Sequence, residues 1–368
     1  MGLIGGILIL PYMVLFFSVW LFHMLKKPVA ILSVLCMALN PFATQRKLKL
    51  VVDTFRFLAF CKDKKWKEPE PLKYNKILKV ESKTVIFVRH GESNWNETFN
   101  KGDRSKANFY LGFIPNAIKA FIVEWYFLVT GQDRESWFYD SSLSDKGKLQ
   151  ADGVRKFLRQ DLTFSTPKEA SMIRILLGES PDGKNSGSKA ASSQMVCSNL
   201  RRAISTMAIG LKDRLDKNYE SDNIMILQEL QEISFNPDAL SITPAKGTCK
   251  LAFTDPKFLE PYFENRMDTS KLLGNKPIDS NGLKRLNAFC DFLFTNVKKK
   301  NVIAGGHSLY FRSFFKTFLP KDYDHISKVK KIQNGGCVGF TLEKKTTDAG
   351  VFYEVTPGSI VVLYVGFQ

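Results

Sequence analysis

The sequence predicts an α/β domain with a mostly parallel sheet, preceded by an apolar helix at the N-terminus. From about residue 83 onward, buried strands alternate with amphipathic helices, which is the pattern of an α/β domain. The strand VIFV at 85–88 is apolar throughout, as expected for a strand covered on both faces in a parallel sheet. The chain has 368 residues, 44% of them apolar and 12% aromatic, so it can bury a sizeable core.

The N-terminal segment predicts a membrane anchor. The first 25 residues contain no Asp, Glu, Lys or Arg, and a spanning helix needs about 20 mostly apolar residues. A cleavable signal peptide fits less well, because a basic start and a small-residue cleavage site are both missing. We therefore predict an anchor over residues 1–43, with a spanning helix at 3–25. A second apolar segment, 28–42, is too short to cross comfortably, so it lies in the interface or completes a helical hairpin.

Residues 44–83 are predicted to form a basic juxtamembrane linker. They contain twelve Lys or Arg and five Asp or Glu, a large share of the net charge of +17. Basic flanks stay on the cytosolic side and attract anionic lipid, which places the following domain in the cytosol; a merely solvated linker is the alternative. The charge would also suit nucleic acid, but no nucleic-acid-binding motif accompanies it, so we predict no such partner.

Residues 84–368 are predicted to form the catalytic domain, interrupted by an apolar insertion at 101–140. The middle of the insertion is apolar almost all round but contains Lys119 and Glu124, and Pro115 predicts a break. A charge near the centre of a membrane helix costs about 2.5–3.5 kcal/mol, so a second span is not predicted. The insertion is expected to form either a buried cap helix or a helix lying in the membrane interface.

Arg89 and His90 follow directly after the VIFV strand. Ligands of open parallel sheets bind just beyond the carboxyl ends of the strands. These two residues therefore mark an expected functional site.

Four later segments join this one in a resemblance to the histidine phosphatase superfamily, the phosphoglycerate mutase-like proteins. The resemblance covers residues 83–340, and the motifs occur in the family's order. They are RHGESNWN at 89–96, LSDKGKLQA at 143–151, SNLRRAIST at 198–206, LQEI at 230–233 and GGHSLYFR at 305–312. The resemblance implies a three-layer α/β/α sandwich. One departure from the pattern is Ser308, which stands where many members have glycine.

The resemblance implies a role for each motif residue. His90 would be the nucleophile that forms a phosphohistidine, and Glu232 the general acid and base. His307, Arg89, Arg202 and Asn96 would hold the phosphoryl oxygens. The chemistry independently calls for these residue types, because arginine matches phosphate oxygens bidentately and neutral imidazole is a nucleophile at neutral pH.

For two of these roles, a nearby residue in the sequence is an alternative. Arg201 could replace Arg202, although helical spacing turns it elsewhere, towards solvent, and Glu229 could replace Glu232. No cofactor is predicted, and no spacing typical of metal ligands is visible.

The sequence thus predicts a membrane-anchored phosphatase that hydrolyses phosphomonoesters through a phosphohistidine. Its substrate would be a phosphorylated compound, including one carried on a lipid or other hydrophobic body. Two alternatives are a phosphoglycerate mutase-like phosphomutase and a catalytically weak, membrane-bound relative that binds a phosphorylated ligand or a protein.

Overall fold

The computed structural model describes most of the chain after residue 40. The described residues are 26–28, 30, 31, 34, 40–70, 72–102, 104–132, 135–160, 163–183, 191–217, 222–249 and 265–368. The predicted spanning helix at 3–25 and most of the second apolar segment at 28–42 lie outside them.

One sheet organises the described residues. It has eight strands: β1 (Ile77–Arg89), β2 (Ser193–Ser198), β3 (Ile224–Leu227), β4 (Met267–Asp268), β5 (Asn301–Gly306), β6 (Cys337–Thr347), β7 (Gly350–Val355) and β8 (Val361–Tyr364). The order is β4-β3-β2-β5-β1-β6-β7, and β8 also pairs with β6. The strands from β4 to β1 are parallel, whereas β6 runs antiparallel to β1, β7 and β8. The sheet is therefore mixed, mostly parallel with an antiparallel edge.

Helices cover both faces of this sheet, because successive side chains of a strand point to opposite sides. Ile86 and Val88 of β1 belong to one core cluster, and Val85 and Phe87 belong to the other. The first cluster contains residues of α4 (Asp145–Leu158), α5 (Pro167–Leu177) and α6 (Arg201–Gly210), and the second contains residues of α8 (Gly282–Thr295) and α9 (Ser308–Phe318). The remaining helices are α1 (Pro41–Phe60), α2 (Asn94–Phe99), α3 (Lys106–Val129) and α7 (Lys212–Asp216).

The segment predicted as a linker at 44–83 contains regular structure that joins the domain. Most of it belongs to α1 and to the first residues of β1, which begins at Ile77 rather than at the predicted boundary of 84. Phe57 of α1 is only 1% exposed and packs with Cys61, Tyr139 and Leu240. The basic residues obscured this helix in the sequence because their charge is typical of a solvated linker, whereas a few apolar residues such as Phe57 make the buried contacts.

The insertion at 101–140 forms α3, which differs from the predicted break and from one of the two alternatives for the insertion, the buried cap helix. Pro115 lies inside a continuous helix, as happens when a proline bends a helix instead of ending it. Ala120 is the one buried residue that α3 contributes, so the helix is not a buried cap. By length and composition α3 could also cross a membrane.

The two charged residues in the middle of α3, Lys119 and Glu124, have partners in the fold. Glu124 pairs with Lys47 of α1 at 2.9 Å and accepts hydrogen bonds from Ser136 Oγ and the Trp137 amide. The ammonium of Lys119 lies 5.4 Å from the ring centre of Trp137. These contacts join α1, α3 and the loop at 135–138 into one substructure.

Candidate active site

His90 and His307 occupy equivalent positions after neighbouring parallel strands. His90 follows β1 and His307 follows β5, and the His90 amide donates to the Gly306 carbonyl at 3.0 Å. Because β1 and β5 run in the same direction, their carboxyl ends bring both side chains to one edge of the sheet. The ring centres lie 5.0 Å apart and the ring planes are inclined by 57°.

The hydrogen bonds of His90 define its tautomer. Its Nδ1 lies 2.5 Å from the carbonyl oxygen of Gly91, which can only accept a hydrogen bond. Nδ1 therefore carries the proton, and Nε2 keeps a lone pair. His307 places its Nε2 2.8 Å from Ser198 Oγ at the end of β2. A lone pair on Nε2 is what a nucleophilic imidazole requires.

Both imidazoles are held in the neutral form. Burial lowers the pKa of His90 well below its ordinary value, and the guanidinium groups of Arg202 and Arg89 lower it further. The pKa of His307 is also well below its ordinary value, because burial, Arg202 and His90 lower it. A neutral imidazole is the form that attacks an electrophile.

Arg202 provides a buried positive charge beside the histidines. It stands in the first turn of α6, and its side chain is 2% exposed. Nη1 donates to the Asp238 carbonyl at 2.7 Å, and Nη2 lies 3.3 Å from an Asp238 carboxylate oxygen. Arg202 Nε and His307 Nδ1 are buried and have no hydrogen-bond partner within the described residues. An oxyanion would provide acceptors for such donors.

Glu232 belongs to the segment after β3, and its side chain lies against the N-terminus of α9. Its Oε1 accepts hydrogen bonds from the amides of Tyr310 and Ile233, each at 2.9 Å, and Leu309 N lies 3.4 Å from Oε2. Burial raises the pKa of this carboxyl above its ordinary value, although Arg202 and these amides oppose the shift. A carboxyl with a raised pKa can hold a proton for transfer near neutral pH.

Glu229 has different surroundings. Burial raises its pKa too, but the charge that acts on it is Arg285, whereas Arg202 acts on Glu232. Glu232 therefore lies at the start of the helix that follows His307 and near the charge of Arg202, whereas Glu229 lies near that of Arg285.

Close backbone contact explains the glycine-containing motif at 143–151. A Cβ on Gly91 would lie 2.3 Å from the Gly147 carbonyl oxygen, and one on Gly147 would lie 1.9 Å from that of Glu92. Ser144 caps α4 through the Gly147 amide, and its own amide donates to Glu92 O at 2.9 Å. The two glycines thus let α4 support the loop that carries His90.

Arg201 is structural, contrary to the expectation that it points to solvent. It is 3% exposed, pairs with Glu135 at 2.6 Å and donates through Nε to the Asp140 carbonyl at 2.9 Å. Its amide also donates to Asp140 Oδ1 at 2.8 Å. The adjacent arginines therefore divide their roles, with Arg201 holding the end of the insertion and Arg202 facing the histidines.

The two remaining predicted site residues, Arg89 and Asn96, differ in how far they are buried. Arg89 is buried next to His90, and its Nη1 donates to the Ile332 carbonyl at 2.5 Å. Asn96 is half-exposed, and its Oδ1 accepts a hydrogen bond from Asn100 at 2.6 Å. Its predicted contact with a phosphate stays a prediction.

A buried charge network behind Glu232 was not predicted. Lys276 donates to Asp63 Oδ2 at 2.7 Å and to the backbone carbonyl of Glu232 at 2.5 Å, while Arg285 donates to Asp63 Oδ1 at 2.5 Å. Arg285 also donates to the Gln231 carbonyl at 2.5 Å. These side chains are 1–3% exposed. Asp63, from the predicted linker, therefore pairs with both of the cations that hold the Glu232 loop.

The described residues contain no group of three or more His, Cys, Asp or Glu placed to hold a metal ion. The polar groups gathered at this edge instead comprise two neutral imidazoles, a buried guanidinium and a buried carboxyl. This combination suits transfer of a phosphoryl group to and from a nitrogen nucleophile.

No family model matches this sequence, and no curated protein matches it. Similar solved structures include a mycobacterial glucosyl-3-phosphoglycerate phosphatase with VO3, at 14% identity and a TM-score of 0.32, covering 75% of this chain and 100% of that one. An ecdysone phosphate phosphatase from Bombix mori with tungstate has 15% identity and a TM-score of 0.32, covering 70% and 88%. Mycobacterial hydrolase 2 has 12% identity and a TM-score of 0.34, covering 78% and 92%. Likenesses this weak do not assign a family or a substrate.

Proposed function

We propose that this chain is a phosphatase of the histidine phosphatase type, which hydrolyses phosphomonoesters through a phosphohistidine. The observation that carries the proposal is the pair of neutral, buried imidazoles of His90 and His307, 5.0 Å apart beside the buried guanidinium of Arg202. The five motifs in family order support it independently of this geometry.

In the first step, His90 Nε2 attacks phosphorus and the bond from phosphorus to the ester oxygen breaks. Glu232 gives its proton to the departing alkoxide, which becomes an alcohol. Arg89, Arg202 and His307 stabilise the negative charge on the phosphoryl oxygens. The enzyme is left with a phosphohistidine and a Glu232 carboxylate.

In the second step, the Glu232 carboxylate removes a proton from water as the water oxygen attacks phosphorus. The nitrogen–phosphorus bond breaks, inorganic phosphate forms, and His90 returns to its neutral form. Nδ1 keeps its proton throughout because the Gly91 carbonyl remains its acceptor. Neither step needs a proton from bulk solvent at the moment of bond breaking.

We further propose that the domain is seated on the cytosolic face of a membrane. Seven large apolar side chains on α1 and nine on α3 are exposed, more than isolated surface residues would explain. They are Phe42, Leu48, Val51, Val52, Phe55, Leu58 and Phe60 on α1, and Tyr110, Leu111, Phe113, Ile114, Ile118, Phe121, Ile122, Tyr126 and Val129 on α3. We call this the α1–α3 surface.

Two features make a bilayer the expected partner of the α1–α3 surface. The uncharged segment at 3–25 precedes α1 in the chain, and α1 itself has four basic residues and one acidic residue. Exposed apolar residues and nearby cations together favour the interface of an anionic membrane.

A phosphate-release screen tests the proposed reaction. The full chain, purified in phospholipid nanodiscs, is offered lipid phosphates, sugar phosphates and phosphopeptides side by side. We expect release of inorganic phosphate and an acid-labile phosphoenzyme, both abolished in His90→Ala because that variant lacks the nucleophile.

Other outcomes would replace this proposal. Movement of the phosphoryl group within a sugar acid, without release, would identify a mutase. Binding without turnover would identify a phospholigand-binding protein, and a phosphoenzyme that persists in His90→Ala would place the nucleophile elsewhere.

A further inference from the structure

A groove runs between α1 and α3 and has a cavity volume of about 370 Å³. This is within the roughly 300–1,000 Å³ range of small-molecule sites. Its walls are mostly apolar and include Val51 and Phe55 of α1, Phe121 and Trp125 of α3, and Phe138 and Pro237 from the loops. Val51, Phe55 and Phe121 also belong to the α1–α3 surface, so the groove opens there.

The charged groups along the groove are already paired. Glu124 accepts hydrogen bonds from Lys47 at 2.9 Å, Ser136 Oγ at 2.5 Å and the Trp137 amide at 2.6 Å. Lys47 also donates to the Glu135 carbonyl. Since these groups satisfy one another, a ligand in the groove would meet chiefly hydrocarbon and aromatic surface. Such a surface favours an apolar ligand over a sugar or a peptide rich in charge.

A series of contacts between aromatic rings connects the groove with the segment that follows His90. The ring of Phe138 lies 5.1 Å from that of Phe121 on α3 and 6.3 Å from that of Trp95, between ring centres. Trp95 stands five residues beyond His90 in the chain.

A second connection runs through the segment 237–238. Pro237 lines the groove, and the next residue, Asp238, holds Arg202 through its carbonyl and its carboxylate. Aromatic contacts thus lead from the groove to Trp95, in the helix that follows His90, and the groove residue Pro237 adjoins the residue that holds Arg202.

We propose that this groove binds the hydrocarbon chain of a phosphate monoester whose phosphate reacts at His90. The proposal rests on the proposed function and narrows its substrate class to monoesters of long apolar alcohols. The α1–α3 surface would place the open side of the groove against the bilayer, from which such a chain can enter without crossing water.

A series of alkyl phosphates tests the proposal. Methyl, butyl and hexyl phosphate are soluble, and they differ only in chain length. With the full chain in nanodiscs, kcat/KM should rise by about fourfold for each methylene that the groove buries. The measured quantity is the ratio of kcat/KM for hexyl phosphate to that for methyl phosphate, so each protein serves as its own reference.

Val51 and Ala59 provide a test variant and its control. Val51 lines the groove, whereas Ala59 is exposed on the same helix and belongs neither to the groove nor to the α1–α3 surface. Val51→Trp should lower the hexyl-to-methyl ratio at least tenfold by filling the groove, and Ala59→Trp should keep the wild-type ratio. The same ratio in all three proteins, whether steep or flat, would overturn the proposal.

Photolabelling distinguishes an incorrect assignment of the groove from an incorrect assignment of the proposed reaction. Decyl phosphate with a diazirine near the chain end should label residues 50–55 and 121–128, and Val51→Trp should reduce this labelling several-fold. Labelling there without hydrolysis of any phosphate ester would support the groove and overturn the proposed phosphatase. Hydrolysis with labelling only outside the groove would overturn the groove alone.

Discussion

The imidazole rings of His90 and His307 lie 5.0 Å apart, and the proximity of His90 lowers the pKa of His307. Two cations at this separation would repel each other in a buried site that already contains Arg202. Burial and the neighbouring charges therefore keep both imidazoles neutral at neutral pH. This relationship links the electrostatics of the site to the stability of the fold.

Acidification should destabilise the protein through these histidines. Their folded pKa values lie well below the ordinary value of 6.5, so below pH 6.5 the unfolded chain binds protons that the folded chain does not. The contribution of these two histidines to the free energy of unfolding is present in full above pH 6.5. It falls by up to about 1.4 kcal/mol per pH unit per histidine as the pH drops towards the folded pKa.

Thermal unfolding between pH 7.5 and 5 measures this effect. The wild type should lose more stability over this range than His307→Gln, which cannot take up the proton. Buried carboxyls such as Asp238 have raised pKa values and act in the opposite direction, but they are present in both proteins. Equal pH slopes for the two proteins would contradict the prediction.

Glu232→Gln should impair hydrolysis according to the leaving group. Glutamine keeps the shape but cannot supply a proton, so alkyl phosphates should lose about 10²–10⁴-fold in kcat. Aryl phosphates, whose leaving groups need little protonation, should lose much less. Stopped-flow or steady-state assays with both substrates measure the difference, and Glu229→Gln is the control. Equal losses on both substrates, or a larger effect in Glu229→Gln, would remove Glu232 from the acid–base role.

Deleting residues 1–39 should change the mode of membrane attachment. The full chain is expected to resist extraction with alkaline carbonate, whereas the truncated chain, which keeps Asn40 and α1, should be released. Because it retains the α1–α3 surface, the truncated chain should still float with anionic vesicles at neutral pH and low salt. Carbonate release of the full chain would show that no segment spans the membrane.

Two exposed residues test the vesicle binding of that truncated chain. Val52 and Ile122 are 62% and 63% exposed and lie on α1 and α3. Changing both to Asp should remove the flotation and leave the melting temperature nearly unchanged. Flotation that persists would place the membrane contact on another surface.

Asp63→Asn should destabilise the fold strongly. Asp63 pairs with both Lys276 and Arg285, and removing one partner of a buried pair costs about 3–5 kcal/mol. Chemical denaturation measures the loss. Glu81→Gln, which removes an exposed partner of Lys79, is the control and should leave the denaturation midpoint unchanged. Similar midpoints for the two variants would mean that the Asp63 network contributes nothing.

Sequence patterns predicted the parts of the molecule that depend on neighbouring residues. The apolar VIFV strand predicted an α/β sheet, which the structure contains, and the site expected at the carboxyl edge of that sheet stays a prediction. His90, Arg202, Glu232 and His307 each belong to a motif, and the structure brings them together. Their catalytic roles stay predictions.

Contacts between distant parts of the chain could not be predicted. Asp63 and Lys276 are 213 residues apart, and a single acid in a basic run gave the only local signal. Arg201 was expected to face solvent because helical spacing separates it from Arg202. That argument did not include Glu135 and Asp140, which the insertion folds back onto α6.

The 213-residue separation of Asp63 and Lys276 also sets the order in which the site can mature during synthesis. At translation rates of roughly 5–20 residues per second, Asp63 leaves the ribosome about 10–40 s before its first cationic partner. During that interval the carboxylate has no buried position, and the Glu232 loop has neither Lys276 nor Arg285 to hold its carbonyls. Glu232, the proposed acid–base residue, is therefore positioned only once α8 has been made, so the proposed activity cannot begin until the last quarter of the chain emerges.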